Sequence, residues 1–157
     1  MTQEQKELLK RDLCSRLDTN LVCSIYRVDD YGVGYRDEVL HGYCKGDIWY
    51  EFYFGDDCGI GIDDVSEIKP YLIPLSSMTE EQKEELNKVT NGKFYANYTR
   101  IDNCKPRNWS EWGTTEYNWI RPCDIDLLHT WLNQNHFDYR GLIEKGLAIE
   151  APEGMYN

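Results

Sequence analysis

Residues 39–54 read VLHGYCKGDIWYEFYF, and this stretch decides the fold class. Two apolar and aromatic runs, 39–44 and 48–54, flank Lys45-Gly46, the punctuation of a β-hairpin. In the second run Ile48, Tyr50, Phe52 and Phe54 fall on one face of a strand, and Trp49, Glu51 and Tyr53 on the other. Working back, 21–28 is rich in β-branched and apolar residues and 29–34 carries turn chemistry, which predicts a strand and a loop. At the start, Thr2 and Gln5 form a capping box. Leu8, Leu9, Leu13 and Leu17 then recur at helical spacing, predicting a helix over 3–17.

Working forward, 56–61 reads as a turn and 60–65 as a short edge strand. Pro70 and Pro74 force extended backbone and remove amide donors, which places 69–77 along an edge or over the surface. Thr79 and Gln82 repeat the capping box and open a charged helix over 80–89, closed by Asn91-Gly92. The likeness of TQEQKELLK to TEEQKEELN is that of two independent helix starts, because nothing after them matches. A strand is expected at 94–101. Asp124 is expected to cap a helix with Ile125, Leu128 and Leu132 on one stripe and Leu127 and Trp131 beside it. Asp138 is expected to begin a shorter helix that ends at Gly146, a left-handed closing residue, with Leu147 touching Leu142. The last residues are expected to lie extended across the surface. The sum is one α+β domain over 1–157, an antiparallel sheet of about four or five strands packed by N-terminal and C-terminal helices.

The chain of 157 residues is long enough for a core without staples. It carries 28 acidic and 17 basic residues, a formal charge of −11, which repels phosphate backbones and anionic membranes. Direct nucleic-acid and membrane binding are therefore disfavoured, and an acidic face suits either solvation or a basic partner. The opening Met1-Thr2-Gln3-Glu4-Gln5-Lys6 has no apolar stretch of the signal-peptide kind and no run is long enough to span a bilayer, so a cytoplasmic location is expected. Six cysteines without a C-x-x-C pair are then expected as free thiols.

Fragments of chemical motifs are present and none is complete. Asp56, Asp57, Asp63, Asp64 and Glu67 lack the alternation of a calcium loop, and Gly59-x-Gly61 is too short for a phosphate loop. His41 with Cys44, and Cys123 with His129 or His136, offer halves of a zinc site that no spacing joins. No catalytic residue, metal or cofactor is assigned. The most distinctive segment is 103–122, bracketed by Cys104 and Cys123, where Trp109, Trp112, Tyr117 and Trp119 could stack on a partner or fold back as a core plug. The run His136-Phe137-Asp138-Tyr139-Arg140 is polar and aromatic and reads as a capped turn with Asp138 near Arg140.

Three stretches, QKELLKRDLCSRL (5–17), IKPYLIPLSSMTEEQK (68–83) and WLNQNHFDYRGLIEKGLAIEAPEGMYN (131–157), cover about a third of the chain. Together they resemble a family of small uncharacterised proteins of Bacteroides-type gut bacteria, their prophages and mobile elements. The resemblance implies a mobile-DNA context and no catalytic residues. The expectation that follows is a non-enzymatic protein-interaction or accessory factor with a basic host or phage protein as partner. The alternative is a small enzyme or small-molecule-binding domain whose site is assembled from dispersed residues.

Overall fold

The computed structural model describes residues 1–29, 32–45, 50–54, 65–89 and 122–156. Three helices, α1 (Gln3–Cys14), α2 (Glu80–Val89) and α3 (Pro122–Gln134), accompany six strands. The strands are β1 (Val22–Asp29), β2 (Gly32–Lys45), β3 (Tyr50–Phe54), β4 (Ile68–Pro74), β5 (Phe137–Asp138) and β6 (Ile149–Glu150). The sheet runs β3-β2-β1-β4-β5, with β6 also on β4. The α+β class is as expected, and the sheet is mostly antiparallel. It is mixed because β5 and β6 pair with β4 in parallel, after a crossover that includes α2 and α3. The expected strands at 60–65 and 94–101 fall on residues outside those described, save Val65, which opens a single-turn 3-10 helix.

Both capping boxes form. The Gln5 amide donates to Thr2 Oγ1 at 3.2 Å while the Thr2 amide donates to Gln5 Oε1 at 2.8 Å, and Thr79 and Gln82 exchange the same two bonds at 2.9 and 3.2 Å. Helix α1 stops at Cys14, three residues early. The Ser15 and Thr19 hydroxyls donate to the Asp12 and Arg16 carbonyls, and Asn20 then adopts φ 55°. Leu17 still packs on the core from the turn. Helix α3 begins at Pro122, whose fixed φ suits a first helical position, so Asp124 lies inside the first turn and is not its cap.

Strands β2 and β3 pair antiparallel, as expected of the two runs in 39–54, with one irregularity. Leu40 pairs with Phe54 and Gly42 with Tyr53, so His41 is a bulge that shifts the alternation by one. Phe52 and Phe54 are buried as the pattern predicted. They join Leu9 and Leu13 of α1, Leu21 just before β1, Cys23 and Ile25 of β1, and Ile68 and Leu72 of β4 in one core cluster. A second cluster holds Met78, Leu86, Leu128, Trp131, Leu132, Phe137 and Tyr139, with Ile73 against it. Leu72 and Ile73 enter different clusters because successive side chains of a strand point to opposite faces.

Strand β4 corrects the expectation for the proline stretch. It lies within the sheet, yet each proline stands where a ladder ends. Pro70 is the last β4 residue paired with β1, and Pro74 the last paired with β5. The other edge of β4 is covered by two short strands end to end, β6 opposite Tyr71 and Leu72 and β5 opposite Ile73 and Pro74. The link between them, 139–148, is a chain of turns where a helix was expected. Asp138 does cap it, its two carboxylate oxygens accepting the Leu142 and Ile143 amides at 2.8 Å each. Gly146, at φ 69°, closes it as expected: Leu147 N donates to the Leu142 carbonyl at 2.9 Å and Gly146 N to that of Ile143 at 3.0 Å. Leu142 and Leu147 both enter the first cluster.

A Cβ at Gly146 would meet no neighbour, so the cost of Gly146→Ala is purely that of the left-handed backbone. The variant is expected to lose about 1 kcal/mol in urea denaturation.

Candidate functional site

Two features meet at the end of α3: a buried ion network and an open cleft. The network starts at the end of α1, where Asp12 on the helix and Arg16 in the turn after it are both fully buried. Arg16 Nε donates to Asp12 Oδ2 at 2.9 Å, and Nη2 to Asp12 Oδ1 at 3.3 Å and to the Phe137 carbonyl at 2.8 Å. Arg140 Nη1 donates to Asp12 Oδ1 at 2.8 Å and to Ser15 Oγ at 3.1 Å. The Arg140 neighbour is thus Asp12, 128 positions away, and Asp138 serves the turn instead. Both guanidinium groups lie over the Tyr139 ring, Arg140 at 4.7 Å and Arg16 at 5.5 Å from its centre. Asn133 Nδ2 donates to the Ser15 carbonyl at 3.0 Å and fastens α3 to the end of α1.

Asp12→Ala would leave Arg16 buried without its carboxylate. A loss of about 3–5 kcal/mol is expected, read by urea or thermal unfolding.

The cleft, of about 390 Å³, lies beside this network. Its described walls are Ile73 and Pro74 at the end of β4, Ser77 after it, Gln82 on α2, residues 134–136 at the end of α3, and residues 150–156. The last residues, expected to lie extended across the surface, are instead tied to the sheet and turn over 153–156. β6 pairs with β4, and Ala151 N donates to the Leu72 carbonyl at 2.8 Å. Tyr156 then turns inward, its hydroxyl donating to the Tyr71 carbonyl at 2.8 Å and accepting the Val22 amide at 3.3 Å. The Tyr156 ring stacks on His136, centres 3.6 Å apart. Burial pushes the Tyr156 hydroxyl well above its ordinary pKa.

His136 occupies the left-handed closing position of α3, at φ 57°, where glycine is the usual residue. Its side chain is 6% exposed and its Nδ1 has no hydrogen-bond partner within the protein. Burial, and then the Arg16 charge, lower its pKa to about 4. His129 is also lowered, by burial and the Arg140 charge against a smaller opposing effect of Asp126, and it stacks on Tyr139 with centres 5.0 Å apart. Both imidazoles are neutral at neutral pH. Cys14 and Cys23 are free thiols, both pushed up by burial and so poor nucleophiles. Ser77 turns its hydroxyl to the Pro74 carbonyl at 2.7 Å. Among the described residues, no group of three or more His, Cys, Asp or Glu could hold a metal ion, and no helix is long and apolar enough to cross a membrane.

Of the residues singled out in the sequence, Trp109, Trp112, Tyr117 and Trp119 lie outside the described residues, as do Asp56, Asp57, Cys58, Asp63, Asp64 and Cys104. His41 is exposed on the β2 bulge, far in the sheet order from the parallel edge that carries His136. The sequence pattern missed Glu150, Glu153 and Tyr156 as wall residues. The one local signal was a lone tyrosine after the Pro152 to Gly154 turn.

Comparison with protein-family models, with curated proteins and with solved structures yields no match for this chain.

The unfolded chain takes up a proton on His136 near pH 6.5, the fold only near 4. Stability from this group is therefore full above about 6.5 and falls as pH drops toward 4, by about 2–3 kcal/mol in all. His136→Phe is expected to flatten that slope, measured as urea stability of both proteins from pH 7 to 4.

Proposed function

We propose that this protein is a non-enzymatic interaction factor of the cytoplasm, encoded in a phage or mobile-element setting, that docks on a basic host or phage protein. The carrying observation is where its charge sits. The chain has 28 acidic and 17 basic residues, and among the residues whose side-chain burial is described the buried charged ones are Asp12, Arg16 and Asp138. Among the residues whose burial is described, the acidic excess is therefore external, where it attracts a basic surface and repels nucleic acid. Among the described residues, the lowered His129 and His136 and the raised Cys14 and Cys23 give acid–base or thiol chemistry little to work with. Trp109, Trp112, Tyr117 and Trp119 are the aromatic contacts proposed for the partner.

A second reading is a small-molecule-binding domain or small enzyme. The cleft favours it, since about 390 Å³ falls in the range of small-ligand sites and its residues come from four separate parts of the chain.

The first reading is tested by capture of partners from nuclease-treated host lysate at low and moderate salt. A stoichiometric basic protein released by salt is the expected result, and replacing Trp109, Trp112 and Trp119 with alanine is expected to abolish capture without lowering the melting temperature. A wild-type protein that captures nothing at either salt would defeat the interaction reading.

A further inference from the structure

The cleft differs from the rest of the acidic surface because it is concave, aromatic on one side and free of neutralising cations in its described lining. Glu150 and Glu153 contribute two exposed carboxylates, and no lysine or arginine is among the described wall residues. Gln134 and Asn135 add amides, though Asn135 Nδ2 is engaged with the Trp131 carbonyl at 2.9 Å. Gln82 is likewise committed, through its carbonyl, to the Thr79 amide. Helix α2, which brings Gln82 to the wall, carries four glutamates against two lysines, all in the stretch EEQKEELNKV. The aromatic side is the Tyr156 ring, held against His136.

His136 adds a second, independent observation. It lines the cleft, is more than nine-tenths buried, and keeps Nδ1 without a partner in the protein. A positively charged imidazole here would repel a cation. A neutral one instead leaves the wall with carboxylates, amides and π-faces, the set that recognises an ammonium or guanidinium group.

We propose that this cleft is the recognition pocket for a lysine or arginine side chain of the partner protein, seated between the Glu150 and Glu153 carboxylates and the Tyr156 ring. This rests on the basic-partner reading and deepens it. Charge complementarity selects the occupant: an anion meets two carboxylates and no cation, and a neutral apolar group leaves both carboxylates unused. The tail that carries Glu150 to Tyr156 is fixed by β6 pairing and the Tyr156 hydroxyl bonds, so the pocket is formed before its ligand arrives.

The test titrates the full chain with N-acetyl-lysine methylamide, N-acetyl-arginine methylamide, the Nε-acetylated lysine analogue and spermidine, following the backbone amide signals of Ala151, Gly154 and Met155. Saturable, salt-sensitive shifts are expected with the two cationic amino-acid probes, none with the acetylated analogue, and about tenfold weaker binding in Glu150→Gln/Glu153→Gln. Both glutamates are exposed, so the double variant is expected to keep its fold, checked by an unchanged spectrum elsewhere. Equal shifts from the acetylated analogue, or undiminished affinity in the double variant, would overturn the proposal. Shifts from spermidine with none from the lysine and arginine probes would overturn it in favour of a free polyamine. Salt-released capture of a basic protein that persists in the double variant would overturn the cleft as docking pocket and leave the acidic-surface reading standing. Lysine binding by a protein that captures no partner would support the pocket chemistry while defeating the partner reading.

Discussion

The Asp12–Arg16 pair holds the molecule together at the point where it would otherwise divide. One hydrophobic cluster joins α1 to the face of the sheet and another joins α2 and α3 to β5, and the polar seam between them is where Arg16 reaches the Phe137 carbonyl. Two charges taken fully out of water are costly, and their mutual attraction repays that cost only with good geometry and further hydrogen bonds. Here Asp12 accepts from two guanidinium groups, and Arg16 also meets the Phe137 carbonyl and the Tyr139 ring, its buried Nη1 keeping no partner among the described residues. An apolar seam of the same shape could be as stable. What the ions add is direction, since a guanidinium aimed at one carbonyl fixes how the second cluster is set against the first.

The rest of the architecture follows from that setting. Anchoring Phe137 places β5 on the free edge of β4, and the left-handed turn at His136 lets the chain pass from α3 into β5 within two residues. From there Asp138 holds the 139–148 turns, Gly146 closes them, and β6 returns to the same edge one step lower. Parallel pairing two residues at a time would be weak by itself. The strands are kept in place by what flanks them: Leu142, Leu147 and Ala148 in the core on one side, and Tyr156 bridging β1 and β4 on the other. The cleft is the space left between this edge closure and the ends of α2 and α3, so its shape depends on the same network.

Local chemistry was legible in the sequence and long-range partnership was not. Thr2 with Gln5, Thr79 with Gln82, and Gly146 with Leu147 each solve a problem within six residues, and a short-range pattern suffices to see them. The alternation of 50–54 was readable for the same reason, whereas the bulge at His41 on the facing strand was not. Pro70 and Pro74 misled because a proline's missing donor matters only where a neighbour asks for it, and the ladders of β4 end at those residues. Asp138 read as a helix start because an aspartate ahead of a turn and one ahead of a helix look alike in sequence, whereas its carboxylate accepts amides four and five residues on, beyond the two or three that a helix cap reaches. Arg140 was assigned to the nearest acid in sequence, while its partner sits on the first helix. Tyr156 gave almost no signal, because its worth lies in two backbone groups from different strands.

Charge and site converge on one argument. A network that buries Arg16 with Asp12, and uses Asp138 to satisfy backbone amides, removes nearly balanced charge from the surface. Among the residues whose burial is described, the interior therefore lowers the acidic excess outside by a single charge, and every further carboxylate at the surface is one that water or a partner must accommodate. Glu150 and Glu153 stand apart because their segment is tied down at both ends, by β6 and by Tyr156. Fixed carboxylates lose little freedom when a cation arrives, whereas carboxylates on a mobile tail would give up part of the attraction as lost entropy. The buried ion pair far inside the fold and the two glutamates on its rim are thus parts of one arrangement: the first sets the edge in place, and the edge presents the second.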